Sequence, residues 1–291
     1  MIRAWKWYRV ELEPVSPLHI GWHDLAFIQR TRCYIPARNA WAVVVSRLAP
    51  TAGGGDLRSM YRGAKGKVKD NVRFTPLFPL VDGERLSPRY DGEKGMLWGS
   101  WSVAELESEF LFSRTSTALE AGSLTAEEGT LHESEFLSLV GRGKRRLGFF
   151  GYVAVREGFG SEQVKGALEW CGMGADRRYG WGLLRLRRGE QGWREETGKL
   201  FEAVGVVEWE EEMVVEGSGS GWHLPAHVDA DSAKTGLEGE LEVVSGRDWS
   251  ERGSGRTLVR ARLCWAPGSR WVAGDGKRRF VVEPEGIWRQ V

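Results

Sequence analysis

The sequence is poor in the features that would declare its chemistry at sight. Cysteine is scarce: Cys33, Cys171 and Cys264 stand alone and far apart. Three scattered thiols build no disulfide framework, and no Cys-x-x-Cys pair offers a zinc site, so they read as reduced thiols. No apolar run approaches the roughly 20 residues needed to cross a bilayer. The N-terminus, Met1-Ile2-Arg3-Ala4-Trp5-Lys6, has no signal-peptide core. A cytoplasmic protein without a membrane partner is expected. Net charge is only +1, so the field of the whole molecule does not draw in nucleic acid. Any such site must be a local basic patch.

Local patches are present. Arginine and lysine cluster at Arg142, Lys144, Arg145 and Arg146, at Arg177 and Arg178, at Arg185, Arg187 and Arg188, and at Lys277, Arg278 and Arg279. An acidic run over residues 208–212 balances them. The pattern suits one RNA face with other surfaces left for protein, and equally an ordinary salt-bridged exterior. Glycine and tryptophan are abundant, at 39 and 15 residues. Tryptophan serves cores, interfaces and base stacking, while glycine frees the backbone in loops. The tryptophan count is read here as a sign of interfaces, and hence of a subunit in a larger assembly.

Periodicity places the elements. Residues 5–12 read as a strand closed by Pro14 and Pro17. Trp41, Val44, Val45 and Leu48 share one face of a helix that Pro50 and the glycines at 53–55 stop. Residues 51–71, rich in Gly, Lys and Arg, read as a mobile basic loop. The middle is harder to parse: 72–81 and 130–140 have strand character, and 102–112 fits helix or strand. Residues 147–155 read as a strand. Ser161 opens a second helix with Val164, Ala167, Leu168 and Cys171 on its stripe, and 181–188 read as the next strand. This is a βαββαβ order, an α+β ferredoxin-like (RRM-like) domain over residues 1–190. Its helices lie on one sheet face, and the other face is expected to be free for RNA. Residues 191–204 read as a short helix, 217–221 as a flexible link, and 206–215, 238–244, 257–265 and 279–283 as strands. Residues 191–291 are therefore a β-rich extension or a degenerate second domain.

The strongest motif runs Gly172-Met173-Gly174-Ala175-Asp176-Arg177-Arg178-Tyr179-Gly180-Trp181-Gly182. A plain helix-to-strand connection wants one glycine at the helix end, not four around two arginines. Glycines let a backbone approach a phosphate and aim N–H groups at it. Arg177 and Arg178 add forked donors, and Tyr179 and Trp181 offer ring faces to bases. The motif resembles the C-terminal glycine-rich loop of the RAMP proteins of CRISPR systems. Ser16-Pro17-Leu18-His19-Ile20-Gly21 is similar to the opening of type III effector subunits. Tyr34-Ile35-Pro36-Ala37-Arg38-Asn39 is similar to their helix start, with Ala37 where they carry glycine and Arg38-Asn39 where they carry serines. Residues 115–136 resemble a mid-domain segment of the backbone subunits. The resemblance spans about residues 5–190.

It implies a CRISPR guide RNA and other effector subunits as partners, in antiviral defence. The RNA-binding residues expected are Gly172, Gly174, Arg177, Arg178, Tyr179, Gly180, Trp181, Gly182, Arg38, Lys144, Arg145 and Arg146. Three roles stay open: a structural subunit capping the 5′ handle or flanking the guide, a precursor-processing endoribonuclease, and a protein-only assembly module. The first is favoured. No convergent acid/base set is evident, and 109 residues follow Gly182, where a processing enzyme would end. His23 stands near the first helix as a nuclease candidate. Asp24 occupies the loop in which backbone subunits that cut target RNA carry an aspartate, although a solvated loop residue is its plain reading. His19 reads as structural. His223 and His227 have metal-like spacing, but Pro225 breaks the helix that would align them. No metal or other cofactor is expected.

Overall fold

The strand β1 (Trp5–Pro14) is buried on both faces. Even positions Val10 and Leu12 face one side and odd positions Trp5 and Trp7 the other, as a period of two requires, and all four are buried. The computed structural model describes every residue except 1–3, 52, 54, 209–211, 220, 234, 252, 259, 260, 273 and 275. The extreme N-terminus, the centre of the acidic run, part of the glycine-serine link and the middles of the strands expected at 206–215 and 257–265 therefore lie outside the described residues.

In the main sheet the strands run Trp170–Gly172, Leu183–Leu186, β1, Leu147–Arg156, Phe78–Val81 and Glu84–Arg85. Val72–Phe74 also pairs with the 147–156 strand. The long pairing of β1 with 147–156 sets Trp5 opposite Arg156 and Leu12 opposite Phe149. With α1 (Ala37–Leu48) after the first strand and the helix Ser161–Glu169 after the third, the order across the sheet is fourth, first, third, second, all antiparallel. This is the ferredoxin-like βαββαβ arrangement. Trp41, Val44 and Val45 from α1 and Val164 and Leu168 from the later helix pack on the inner face with Val10, Leu12, Phe149 and Val153.

The outer face is covered, not free. Trp5, Trp7, Tyr152 and Ala154 form one core with Met213, Val215, Trp222, Phe280 and Trp288 of the C-terminal region. That region is a seven-stranded sheet ordered Gly205–Glu208, Met213–Gly217, Arg278–Val282, Trp288–Gln290, Val228–Asp229, Arg262–Trp265 and Leu241–Val244. Large aromatics on an otherwise exposed sheet face demand cover, each fully buried side chain contributing roughly 1.5–3 kcal/mol. The expected RRM-type open platform is therefore corrected. The rest of that face carries Glu11, itself buried, paired with Arg85 at 2.8 Å and Arg187 at 2.7 Å.

Further expectations change. Within the span expected as a mobile loop, Leu57–Asn71 forms α2. Asp56 caps it by accepting the Ser59 N–H at 2.9 Å, and Ala64 and Val68, four residues apart, are its buried anchors. Residues 102–112 are both helix and strand: α3 (Val103–Phe110) starts in a Ser102–Glu105 capping box and runs into the strand Leu111–Ser116. In place of a helix at 191–204, the strand Trp193–Glu196 pairs with β1, with Trp193 stacked on Tyr8 at 4.7 Å. The fourth strand of the domain is shorter than 181–188, at Leu183–Leu186. The tryptophans, too, are mainly core. Seven are buried, and among the described residues only Trp22 and Trp170 are largely exposed.

A capped helix with two seated anchors is ordered without a partner. Hydrogen exchange of the isolated protein is expected to show protected amides over residues 61–71. Exchange there at the rate of an unstructured peptide would contradict α2.

Candidate nucleic-acid interface

The glycine-rich loop is locked from beneath by the segment that ends β1. Ala175 N–H donates to His19 O at 2.9 Å, Gly182 N–H to Pro17 O at 2.7 Å, and Met173 N–H to Gly182 O at 2.8 Å. On its other side that segment joins the strand His132–Leu137 through reciprocal Leu18–Leu137 bonds of 3.0 and 2.8 Å. His19, buried, bonds the Glu135 carbonyl through Nδ1. Two of the motif glycines follow from this closeness. Gly174 (φ +87°) and Gly182 (φ +76°) are left-handed, and a Cβ on either would overlap a backbone carbonyl, of His19 and Met173 respectively. Gly180 is also left-handed, but open space surrounds it. The loop N–H groups of Met173, Ala175, Tyr179, Gly180, Trp181 and Gly182 are bonded within the chain, so they cannot be the phosphate donors that the motif implied.

What the loop leaves outward are side chains. Arg177, Arg178 and Tyr179 are exposed on a 3₁₀ turn (Arg177–Tyr179), and Tyr179 is 75% accessible. Neither arginine enters an ion pair among the described residues, whereas Arg185 and Arg187 are bound to Glu13 and Glu11. Trp181 is half-buried and leans on Phe136, with centroids 4.9 Å apart. Lys144, Arg145 and Arg146 are exposed on the turn before the 147–156 strand, Arg145 lying 4.7 Å over Trp101. They share the end of the sheet at which β1 finishes, since Leu147–Arg156 begins beside Leu12. His23 and Asp24 lie on the exposed hairpin of β2 (Gly21–Leu25) and β3 (Ile28–Thr31). His23 packs on Trp22, and Asp24 stands opposite Gln29. Among the described residues neither meets a second acid or base that would make a reactive pair. His223 bonds the Tyr90 carbonyl at 3.1 Å, while His227 turns to other partners.

A cleft of about 960 Å³ opens beside the loop. Gly172–Ala175 and Arg177 form one side, Gly21, Trp22 and Arg32 another, Arg38 and Asn39 of α1 a third, and residues 244–247 the last. Arg38, expected at the RNA, is half-buried, ion-paired with Glu285 and set 5.8 Å from the Trp41 ring. In the floor is a cluster that the sequence did not reveal. Tyr34 Oη–H donates to Glu242 Oε2 at 2.6 Å, His227 Nε2 lies 2.9 Å from Tyr34 Oη and 3.1 Å from Glu242 Oε2, and Arg32 Nε donates to Glu242 Oε1 at 2.6 Å. Burial alone would raise the Glu242 pKa, but His227, Arg32 and the Tyr34 hydroxyl outweigh it and hold the carboxyl at about 2. The three cysteines are buried, and burial pushes each thiol up to about 12. Among the described residues no group of three or more His, Cys, Asp and Glu side chains could hold a metal ion.

No protein-family model and no curated sequence matches the chain. Solved structures do. One is a chain of the type III-B Cmr-beta bound to cognate target RNA and AMPPnP, with 13% identity over 90% of this chain and 85% of that one and a TM-score of 0.56. A second, from Cmr-beta bound to cognate target RNA, has 13% identity over 90% and 86%, with a TM-score of 0.50. The chain shares the fold of these Cmr-beta chains. The likeness covers 90% of the chain and so takes in the β-rich C-terminal region as well as the first domain.

Two outcomes follow for stability. Gly174→Ala and Gly182→Ala are expected to lower it by more than the roughly 1–2 kcal/mol of a left-handed alanine, because each also meets backbone. Gly180→Ala should incur only that penalty. Urea unfolding of the three variants checks the ranking. In acid, Glu242 titrates in the unfolded chain near its ordinary 4.5 but folded at about 2. Its stabilisation is complete above about pH 5 and is lost as pH falls toward 2. Glu242→Gln should flatten that part of the stability–pH curve, and an unchanged acid limb would contradict the assignment.

Proposed function

We propose that the chain is a RAMP-superfamily subunit of a type III-like CRISPR effector ribonucleoprotein, in which it binds the guide RNA without cutting it. The observation that carries this reading is the pair Arg177–Arg178 with Tyr179. They are held outward on a loop whose backbone is fixed, and among the described residues no acidic partner neutralises them. Forked donors and an exposed ring match phosphate and base. The turn 144–146 adds cations at the same end of the sheet. The fold match to chains of RNA-bound type III-B complexes supports the same class. The guide-lining and handle-capping roles both fit, with other effector subunits as partners and a cytoplasmic setting. The exposed positions of His23 and Asp24, with no catalytic partner among the described residues, fit a structural role.

The test uses a single-stranded CRISPR repeat RNA. Arg177→Ala/Arg178→Ala should weaken binding and flatten the dependence of log K on log salt by about 0.7 for each lost phosphate contact. The RNA should stay intact with and without magnesium. Equal affinity and slope in the double variant would remove the loop from the site. Cleavage lost in His23→Ala would point to a processing enzyme, and cleavage lost in Asp24→Ala to a backbone-type nuclease.

A further inference from the structure

We infer that the C-terminal region supplies the second wall of the RNA site: an unpaired RNA segment lies between the glycine-rich loop and residues 244–247, with Arg247 as its contact on the far side. The inference rests on the RNA-binding reading above and adds to it a half of the chain in which no binding motif was recognised.

The cleft is two-sided. Its near wall is the loop with Arg177, and its far wall is the segment from Val244 to Arg247 together with Leu258. At about 960 Å³ it is at the upper end of the range of ligand pockets, roughly 300–1,000 Å³. That admits unpaired nucleotides. Its chemistry is mixed in the way that a nucleotide requires. Val244 and the exposed Leu258 on the far side offer apolar surface to a base, while Asn39 and Ser245 offer hydrogen bonds to its edge. Its charge is positive. Five arginines line it against a single carboxylate, that of Glu242. Arg32 and Arg38 are already tied to Glu242 and Glu285. Arg247 is exposed, and among the described residues its side chain makes only a long bond, 3.4 Å, to the Gly255 carbonyl, which leaves it able to turn to a phosphate.

The far wall is also braced. The hairpin of Arg247–Ser250 and Gly253–Leu258 rests on α2 through the Lys65–Asp248 ion pair and through Tyr61 and Trp249, 5.7 Å apart. Arg38 Nη2 donates to the Arg247 carbonyl at 3.4 Å and so links the two sides. A wall fixed in this way costs little ordering entropy when a ligand enters.

The experiment uses the full chain and a labelled single-stranded repeat RNA carrying 4-thiouridine. Arg247→Ala is expected to weaken binding roughly five- to tenfold and to lower the salt slope by about 0.7, with the urea midpoint unchanged. Cross-links should map to residues 244–258 as well as 172–182. Wild-type affinity in Arg247→Ala, with cross-links confined to 172–182 and binding still lost in Arg177→Ala/Arg178→Ala, would overturn the second wall and leave the loop reading standing. No loss in either variant, or no RNA binding by the wild type, would overturn both.

Discussion

The pairing of β1 with the 147–156 strand, buried on both faces, is the constraint on which the molecule turns. One face of this ribbon seats the helices of a ferredoxin-like domain, and the other seats a second sheet through Trp5, Trp7, Tyr152 and Ala154. In an RRM the second face is the binding surface, on which bases stack. Here that surface is covered. Where the cover ends, Glu11 and Glu13 hold Arg85, Arg185 and Arg187. Any RNA site is thereby displaced to the end of the sheet and to the seam between the two halves.

The glycine-rich loop shows the same logic at smaller scale. Its glycines look like a device for wrapping a phosphate, but at 174 and 182 they serve contact between backbones. The interlock of residues 16–21 with the loop and with the 132–137 strand fixes the turn Arg177–Tyr179 without using its side chains. A fixed backbone beneath free cations is preorganisation: little conformational entropy remains to be lost when the arginines meet phosphate.

Much of the first domain was legible because its signals are local and periodic. The stripe Trp41, Val44, Val45 and the apolar run 147–155 each specify an element by spacing alone. α2 was not legible, since its two anchors are Ala64 and Val68 and its remaining surface is basic and glycine-bearing; composition pointed to a loop, and tertiary packing decided otherwise. The cover on the outer face was hidden for a different reason. Trp5 and Trp7 in an alternating strand signal a buried face, but not what buries it, and Met213, Val215 and Phe280 in their core lie more than 200 residues away. The cluster of Tyr34, His227 and Glu242 was invisible on the same ground. Its members are unremarkable singly, and a separation of 208 residues leaves no trace in spacing.

Charge pairing then determines where function resides. With a net charge of +1 the chain has no general affinity for polyanions, and many of its basic clusters are neutralised in place: Arg185 and Arg187 by Glu13 and Glu11, Lys277 and Arg279 by Glu216, Arg38 by Glu285. A paired arginine at a surface contributes little to long-range attraction, because its field is cancelled within a Debye length of about 8 Å. The cations that enter no ion pair among the described residues include Arg177, Arg178, Arg247 and the exposed turn over 144–146. On the proposed reading such a protein would not capture RNA by broad electrostatics. It would discriminate by position, accepting a strand where a phosphate falls on the loop and a base in the adjoining cleft, as a subunit holding one defined stretch of guide must.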